Sequence, residues 1–128
     1  MSKQIIQTFS APAAVGPYSQ AVATSASQMV YLSGQIGLKP DTGELESSSF
    51  EAQVKQAFSN MTAVIEAAGG NLNNIIKLTL YVTDLKSFNQ VNEIMASVIP
   101  EPFPARSTVE VSGLPKGADF EVEAILAL

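Results

Sequence analysis

The chain has no cysteine and no histidine. Without thiols there is no disulfide framework and no thiolate nucleophile. Without imidazole, Ser-His-Asp machinery is excluded, and the usual zinc, copper and non-haem iron sites lose their ligands. Catalysis is left with carboxylate, arginine, tyrosine, lysine, hydroxyls, backbone groups and water. Charge is scarce too: 15% of residues are charged, against roughly 25% in an average globular protein. So few charges point either to a surface partly covered by another subunit or to a monomer with a Ser/Thr/Asn-rich surface. The six lysines (Lys3, Lys39, Lys55, Lys77, Lys86, Lys116) never form a run, and the net charge is −5. Phosphate binding needs clustered cations, so no nucleic-acid partner is expected. No apolar stretch approaches the roughly eighteen residues of a membrane span. The N-terminal stretch lacks a charged start followed by an apolar run. The expected location is cytoplasmic, with no membrane contact.

What is present begins with one arginine. Arg106 stands in Pro102-Phe103-Pro104-Ala105-Arg106-Ser107-Thr108. Its planar fork can grip a carboxylate with two parallel hydrogen bonds, which a lysine cannot do. The two prolines stiffen the approach and bias Phe103 and Ala105 toward extended geometry. The segment reads either as an anion hook at the start of a strand or as an ordinary salt bridge. Ser107 and Thr108 can add donors to the same anion.

At 128 residues the chain is expected to be a single domain, 1–128, large enough for a real core. Strands are predicted over 3–8, 19–26 and 28–35, the last two as a hairpin, with a turn at Asp41-Thr42-Gly43. Apolar residues then recur at three and four from Phe50 to Ala68, predicting a helix over 47–68. Ser48 and Glu51 read as its capping box and Gly69-Gly70 as its stop. A strand over 75–82 places Ile76, Leu78, Leu80 and Val82 on one face, with Lys77, Thr79 and Tyr81 on the other. Ser87 is expected to cap a second helix with the stripe Phe88, Val91, Ile94/Met95 and Val98, stopped by Pro100. Strands over 106–111 and 120–126 close the chain around a Leu114–Gly117 turn. The order β-β-β-α-β-α-β-β predicts an α+β domain with both helices on one face of a mixed sheet. Its other face, with Tyr31, Tyr81 and Ile125, would suit a subunit interface.

Glu121 is the second candidate for chemistry. If strand 106–111 pairs with 120–126 as a hairpin, this carboxylate comes near the arginine strand and could orient water and move protons. Glu123 points to the same side, and the sequence alone does not separate the two. Tyr18, after the Gly16-Pro17 turn, can wall a pocket. Ser33-Gly34-Gln35 allows close backbone approach to a ligand. No Gly-rich phosphate loop is present.

Several blocks together resemble the RidA (reactive intermediate deaminase, YjgF-type) family. They are Gly16-Pro17-Tyr18-Ser19-Gln20, Ser33-Gly34-Gln35-Ile36, Asp84-Leu85 with Phe88 and Asn92, and Phe103-Pro104-Ala105-Arg106-Ser107. Leu114-Pro115-Lys116-Gly117 and Glu121-Val122-Glu123-Ala124-Ile125 continue the order. The resemblance implies a chorismate-mutase-like α+β fold assembled as a homotrimer with ligand sites in the clefts between subunits. It implies hydrolysis of 2-imino acids or their enamine tautomers, such as 2-iminobutanoate and 2-iminopropanoate, to 2-keto acids and ammonia, with no metal or organic cofactor. Carried over by position, Arg106 would bind the substrate carboxylate and Glu121 would place the attacking water. Tyr18, Phe88 and Asn92 would line the pocket, Gly34 and Thr108 would present backbone groups, and Ser33 and Ser107 flank them. Many members carry cysteine where Thr108 stands, which implies an altered pocket shape. A non-catalytic small-carboxylate sensor of the same fold is a second reading. An endoribonuclease is a third, against which the acidic balance and the missing histidine weigh.

Overall fold

The computed structural model describes residues 2–128. Two sheets are formed. Strands β1 (Ser2–Ile6) and β2 (Ala21–Ser25) make an antiparallel ribbon in which Lys3 faces Thr24 and Ile5 faces Val22. The Lys3 ammonium donates to the carbonyl of Ile75 (3.3 Å), tying the ribbon to the main sheet.

That sheet contains β3 (Met29–Tyr31), β4 (Gln35–Ile36), β5 (Ile75–Val82), β6 (Ala105–Glu110) and β7 (Phe120–Ala127). Its order is β3-β7-β5-β6, and β4 pairs with β7 beyond β3. β5 and β6 are parallel and the other pairs antiparallel. Parallel neighbours need a crossover, and helix α2 (Phe88–Val98) supplies it. It lies on the same face as α1 (Phe50–Ala67). Between helices and sheet, Phe58, Met61, Ile65, Val91 and Met95 pack against Leu78, Leu80, Val82, Phe120, Val122 and Leu126, all buried. The Phe58 and Phe120 rings lie 5.6 Å apart at a tilt. This is the expected α+β arrangement of two helices on one face of a mixed sheet.

Four details differ from the sequence reading. Strands 106–111 and 120–126 are not a hairpin, because β5 lies between them. β5 buries every other side chain and has ladder partners on both sides, while the polar β6 takes the edge, where strands are tolerated best when polar. The 111–119 link closes over the end of β5: Val111 N–H donates to Val82 O (2.8 Å) and Thr83 N–H to Asp119 O (3.3 Å). Strands 19–26 and 28–35 are not a hairpin either. β2 pairs with β1, whereas β3 joins β7, where Val30 sits opposite Leu126. Within 28–35 the strand breaks: Tyr31 faces Ile125 and Gln35 faces Val122, so residues 32–34 stand against 123–124, three against two, a bulge.

The third difference is the start of α1. Its cap is Ser49, whose Oγ accepts from Ala52 N–H (3.0 Å). Ser48 is occupied instead by Glu46 Oε1, to which its Oγ donates (2.8 Å). Gly69 ends the helix as expected, at φ 89, where a side chain would be strained. The fourth lies in β5: a register shift between Ile75 and Lys77 buries Ile75 and leaves Ile76 half-buried.

Candidate active site

Arg106 enters the sheet as the second residue of β6, opposite Leu78 of β5. Paired residues share a face, so its side chain lies on the helix side, at the sheet edge under α2. There it meets a prepared cradle. Nη1 donates to Asn92 Oδ1 (2.5 Å) and touches Met95 Sδ (3.6 Å). The guanidinium carbon stands 4.9 Å from the Tyr18 ring centre and 5.4 Å from that of Phe88. Phe88, Asn92 and Met95 recur at i, i+4 and i+7, one stripe of α2 turned toward the arginine. Met95 was assigned to the core from sequence, and this spacing was the signal that could have added it to the site.

Tyr18 is held by the chain before β2. Ser19 N–H donates to Pro104 O (2.9 Å) and Ser19 Oγ to Phe103 O (2.5 Å), pinning the Gly16–Tyr18 turn to the root of β6. Tyr18 N–H closes that turn onto Gly16 O (2.8 Å). Gly16 lies beside the guanidinium: a Cβ there would be 3.5 Å from Arg106 Nη2, an ordinary contact distance.

Among the described residues no carboxylate pairs with Arg106; the one ion pair is Lys55–Glu51 on the surface of α1. Burial lowers the proton affinity of the guanidinium, partly opposed by Tyr18. An arginine nevertheless stays charged. The guanidinium is thus a half-buried cation, close to two aromatic rings and without a counter-ion among the described residues. Thr108, two residues on, shares the Arg106 face, opposite Leu80. Its Oγ1 is buried and has no hydrogen-bond partner. Ser107 alternates to the opposite face and is exposed, so its hydroxyl does not join this group.

Glu121 sits in β7 opposite Tyr81 of β5, and Tyr81 alternates with the buried Leu80 and Val82. Its carboxylate therefore lies on the open face of the sheet. Gly34, in the β3–β4 bulge, lies against it: a Cβ there would be 2.7 Å from Glu121 Cδ and closer still to Oε2. Ser33 is next in the same exposed bulge. Burial raises the Glu121 carboxyl above its ordinary value, and the neighbouring Glu123 adds to the rise. Glu123 accepts a hydrogen bond from Tyr81 Oη.

The candidate residues thus form two half-sites on opposite faces. One gathers Tyr18, Phe88, Asn92, Arg106 and Thr108 around a cation. The other gathers Ser33, Gly34 and Glu121 around a carboxylate with raised proton affinity. A central strand, β5, separates Arg106 from Glu121 within one chain. No group of three or more potential metal ligands of the carboxylate, imidazole or thiol type occurs among the described residues.

The family model described as Endoribonuclease L-PSP matches residues 8–128. Reactive Intermediate Deaminase A, chloroplastic, of Arabidopsis thaliana is 44% identical over all of this chain and 67% of its own length. The 2-iminobutanoate/2-iminopropanoate deaminase of Homo sapiens is 42% identical over 96% of this chain and 88% of its own. The chain belongs to the RidA family. The fold agrees: the RidA crystal structure from an Antarctic Psychrobacter superposes at a TM-score of 0.76, with 49% identity, covering 98% of this chain and 99% of the other.

Proposed function

We infer that this RidA-family chain hydrolyses 2-imino acids, or the enamines in equilibrium with them, to 2-keto acids and ammonia. The single observation that carries the reading is the unpaired guanidinium of Arg106, stacked between Tyr18 and Phe88 and braced by Asn92. An arginine held this way offers a carboxylate its free edge. Glu121 complements it as a carboxyl whose proton affinity is raised by burial. The names of the plant and human relatives support the choice of imine as the reacting group.

The chemistry asks little of the protein. An iminium carbon is already electrophilic, so an oriented water, a proton acceptor and a grip on the carboxylate suffice. Arg106 holds the carboxylate, with Thr108 Oγ1 and its backbone alongside. Glu121 takes a proton from water as the oxygen attacks the C=N carbon. The same carboxyl returns the proton to nitrogen; the C–N bond then breaks as the carbinolamine hydroxyl gives its proton back to Glu121, releasing keto acid and ammonia.

One chain places these groups on opposite faces of its sheet, so we propose that the site is completed between subunits. Arg106 of one copy would face Glu121 and Gly34 of the next, in a homotrimer. The open face supports an assembly: Met29 is 39% and Tyr31 72% exposed there, and exposed apolar side chains in such numbers mark a contact surface. We place the protein in the cytoplasm; no described helix is long and apolar enough to cross a membrane. Although the matching family model is described as an endoribonuclease, the net charge of −5 and the scattered lysines disfavour an RNA substrate.

The test is keto acid release from an imino acid generated in situ by a pyridoxal-phosphate-dependent dehydratase. Arg106→Ala is expected to abolish the acceleration while leaving the circular dichroism spectrum unchanged. Full activity in that variant would sink the reading. Binding of a 2-keto acid without turnover by the wild-type chain would favour the sensor instead.

A further inference from the structure

The open face holds a second carboxylate that the mechanism above leaves unused. Glu123 lies two residues beyond Glu121 on β7, on the same face, opposite Thr79. Tyr81 stands directly across from Glu121, yet its hydroxyl reaches diagonally to donate a hydrogen bond to Glu123 Oε1. That contact fixes where the Glu123 charge sits. A free glutamate on a strand would swing away from a like charge next to it; this one is tethered on the strand that carries Glu121.

We propose that Tyr81 and Glu123 act as a positioning pair, clamping a second carboxylate beside Glu121 so that Glu121 becomes the better base toward the attacking water. The inference rests on the deaminase reading and deepens it. Like charges on one face disfavour ionisation of the member whose partner is locked in place. A general base works best when its proton affinity is tuned close to the working pH. Within one chain no cation pairs with Glu121; across the proposed interface the Arg106 guanidinium of the neighbouring copy would oppose the effect, and it is the same in every variant compared. Facing Glu121 are Glu123 on its own strand, Tyr81 on β5, Gly34 of the bulge and Ile36, its ladder partner on β4, none of them a cation. Lys77, the cation on that face of β5, stands opposite Ile125 and pairs with neither glutamate. Burial of the Glu121 carboxyl acts in the same direction as the Glu123 charge.

The experiment compares wild type, Glu123→Gln and Tyr81→Phe by two readouts. One is the pH profile of kcat for imino-acid hydrolysis; the other is the side-chain carboxyl titration of Glu121 by NMR on glutamate-labelled protein. In Glu123→Gln the shape is kept and the charge is gone. Both the acidic limb of the profile and the Glu121 titration are expected to move to lower pH, with KM unchanged. Tyr81→Phe keeps the charge but frees it, and should move both in the same direction by less. A merely structural hydrogen bond would lower stability and leave both midpoints in place. An active wild type with unmoved midpoints in Glu123→Gln overturns the proposal alone. A wild type without turnover overturns the deaminase reading instead, and the Glu121 titration then still decides whether the clamp exists.

Discussion

Replacing Arg106 by lysine separates charge from geometry. Both residues place a cation at the edge of β6, but only arginine offers a fork. In the structure Nη1 is committed to Asn92 and the plane is stacked between two rings, so the fork is aimed before any anion arrives. A lysine keeps the attraction of a point charge and one hydrogen bond to the carboxylate. It gives up a second charge-assisted hydrogen bond, which contributes about 1.5–3 kcal/mol. It also weakens the contacts with Tyr18 and Phe88, by about 0.5–1 kcal/mol together. The sum, about 2–4 kcal/mol, corresponds to a loss of about 30- to 1,000-fold in kcat/KM at about 1.36 kcal/mol per tenfold. The dehydratase-coupled assay measures it, with far-ultraviolet circular dichroism as the control for folding. An Arg106→Lys variant within about threefold of wild type would refute the fork as the reason for arginine here.

Two further predictions concern the other half-site. Gly34→Ala puts a Cβ into the Glu121 carboxylate, 2.7 Å from its Cδ, so the carboxylate must swing aside. Because Gly34 is exposed, stability should change by less than about 0.5 kcal/mol, while kcat falls by about 10- to 100-fold from misplacement of the base. An unchanged kcat would contradict the placement of Glu121 at the reacting water. Glu121→Gln should raise stability while removing activity. The folded chain holds the Glu121 carboxyl proton more tightly than the unfolded chain, whose value is about 4.5, so its ionisation weakens the fold as pH rises through the raised folded value. The urea midpoint of Glu121→Gln should therefore exceed that of wild type at neutral pH, and the gap should close below about pH 4.5. A gap that persists in acid would show that the carboxyl's charge is not its source.

The periodic parts of this fold were legible in the sequence. The three-and-four spacing from Phe50 to Ala68 gave α1, and the stripe Phe88, Val91, Ile94/Met95 and Val98 gave α2, because one-sided burial leaves a period. Alternation likewise marked β5 and β7. Alternation tells which face a side chain takes, however, and not which strand lies alongside. That is why 106–111 and 120–126 read as a hairpin when β5 divides them. The consequence is functional: a hairpin would bring Glu121 near the Arg106 strand within one chain, whereas the observed order puts β5 between them and the register turns them to opposite faces. The Tyr81–Glu123 bond was equally out of reach, since it joins residues 42 apart in sequence. Ser107 shows the opposite case, where alternation along β6 already implied that its side chain turns away from Arg106.

The central claim is that each site takes its arginine from one subunit and its carboxylate from another. Mixing the two inactive variants Arg106→Ala and Glu121→Ala, then unfolding and reassembling them at equal amounts, tests it directly. With shared sites in a cyclic assembly, random association restores an intact pair in about a quarter of the sites, so activity should return to about a quarter of wild type. Mixed assemblies verified by native mass spectrometry that stay as inactive as either parent would contradict it.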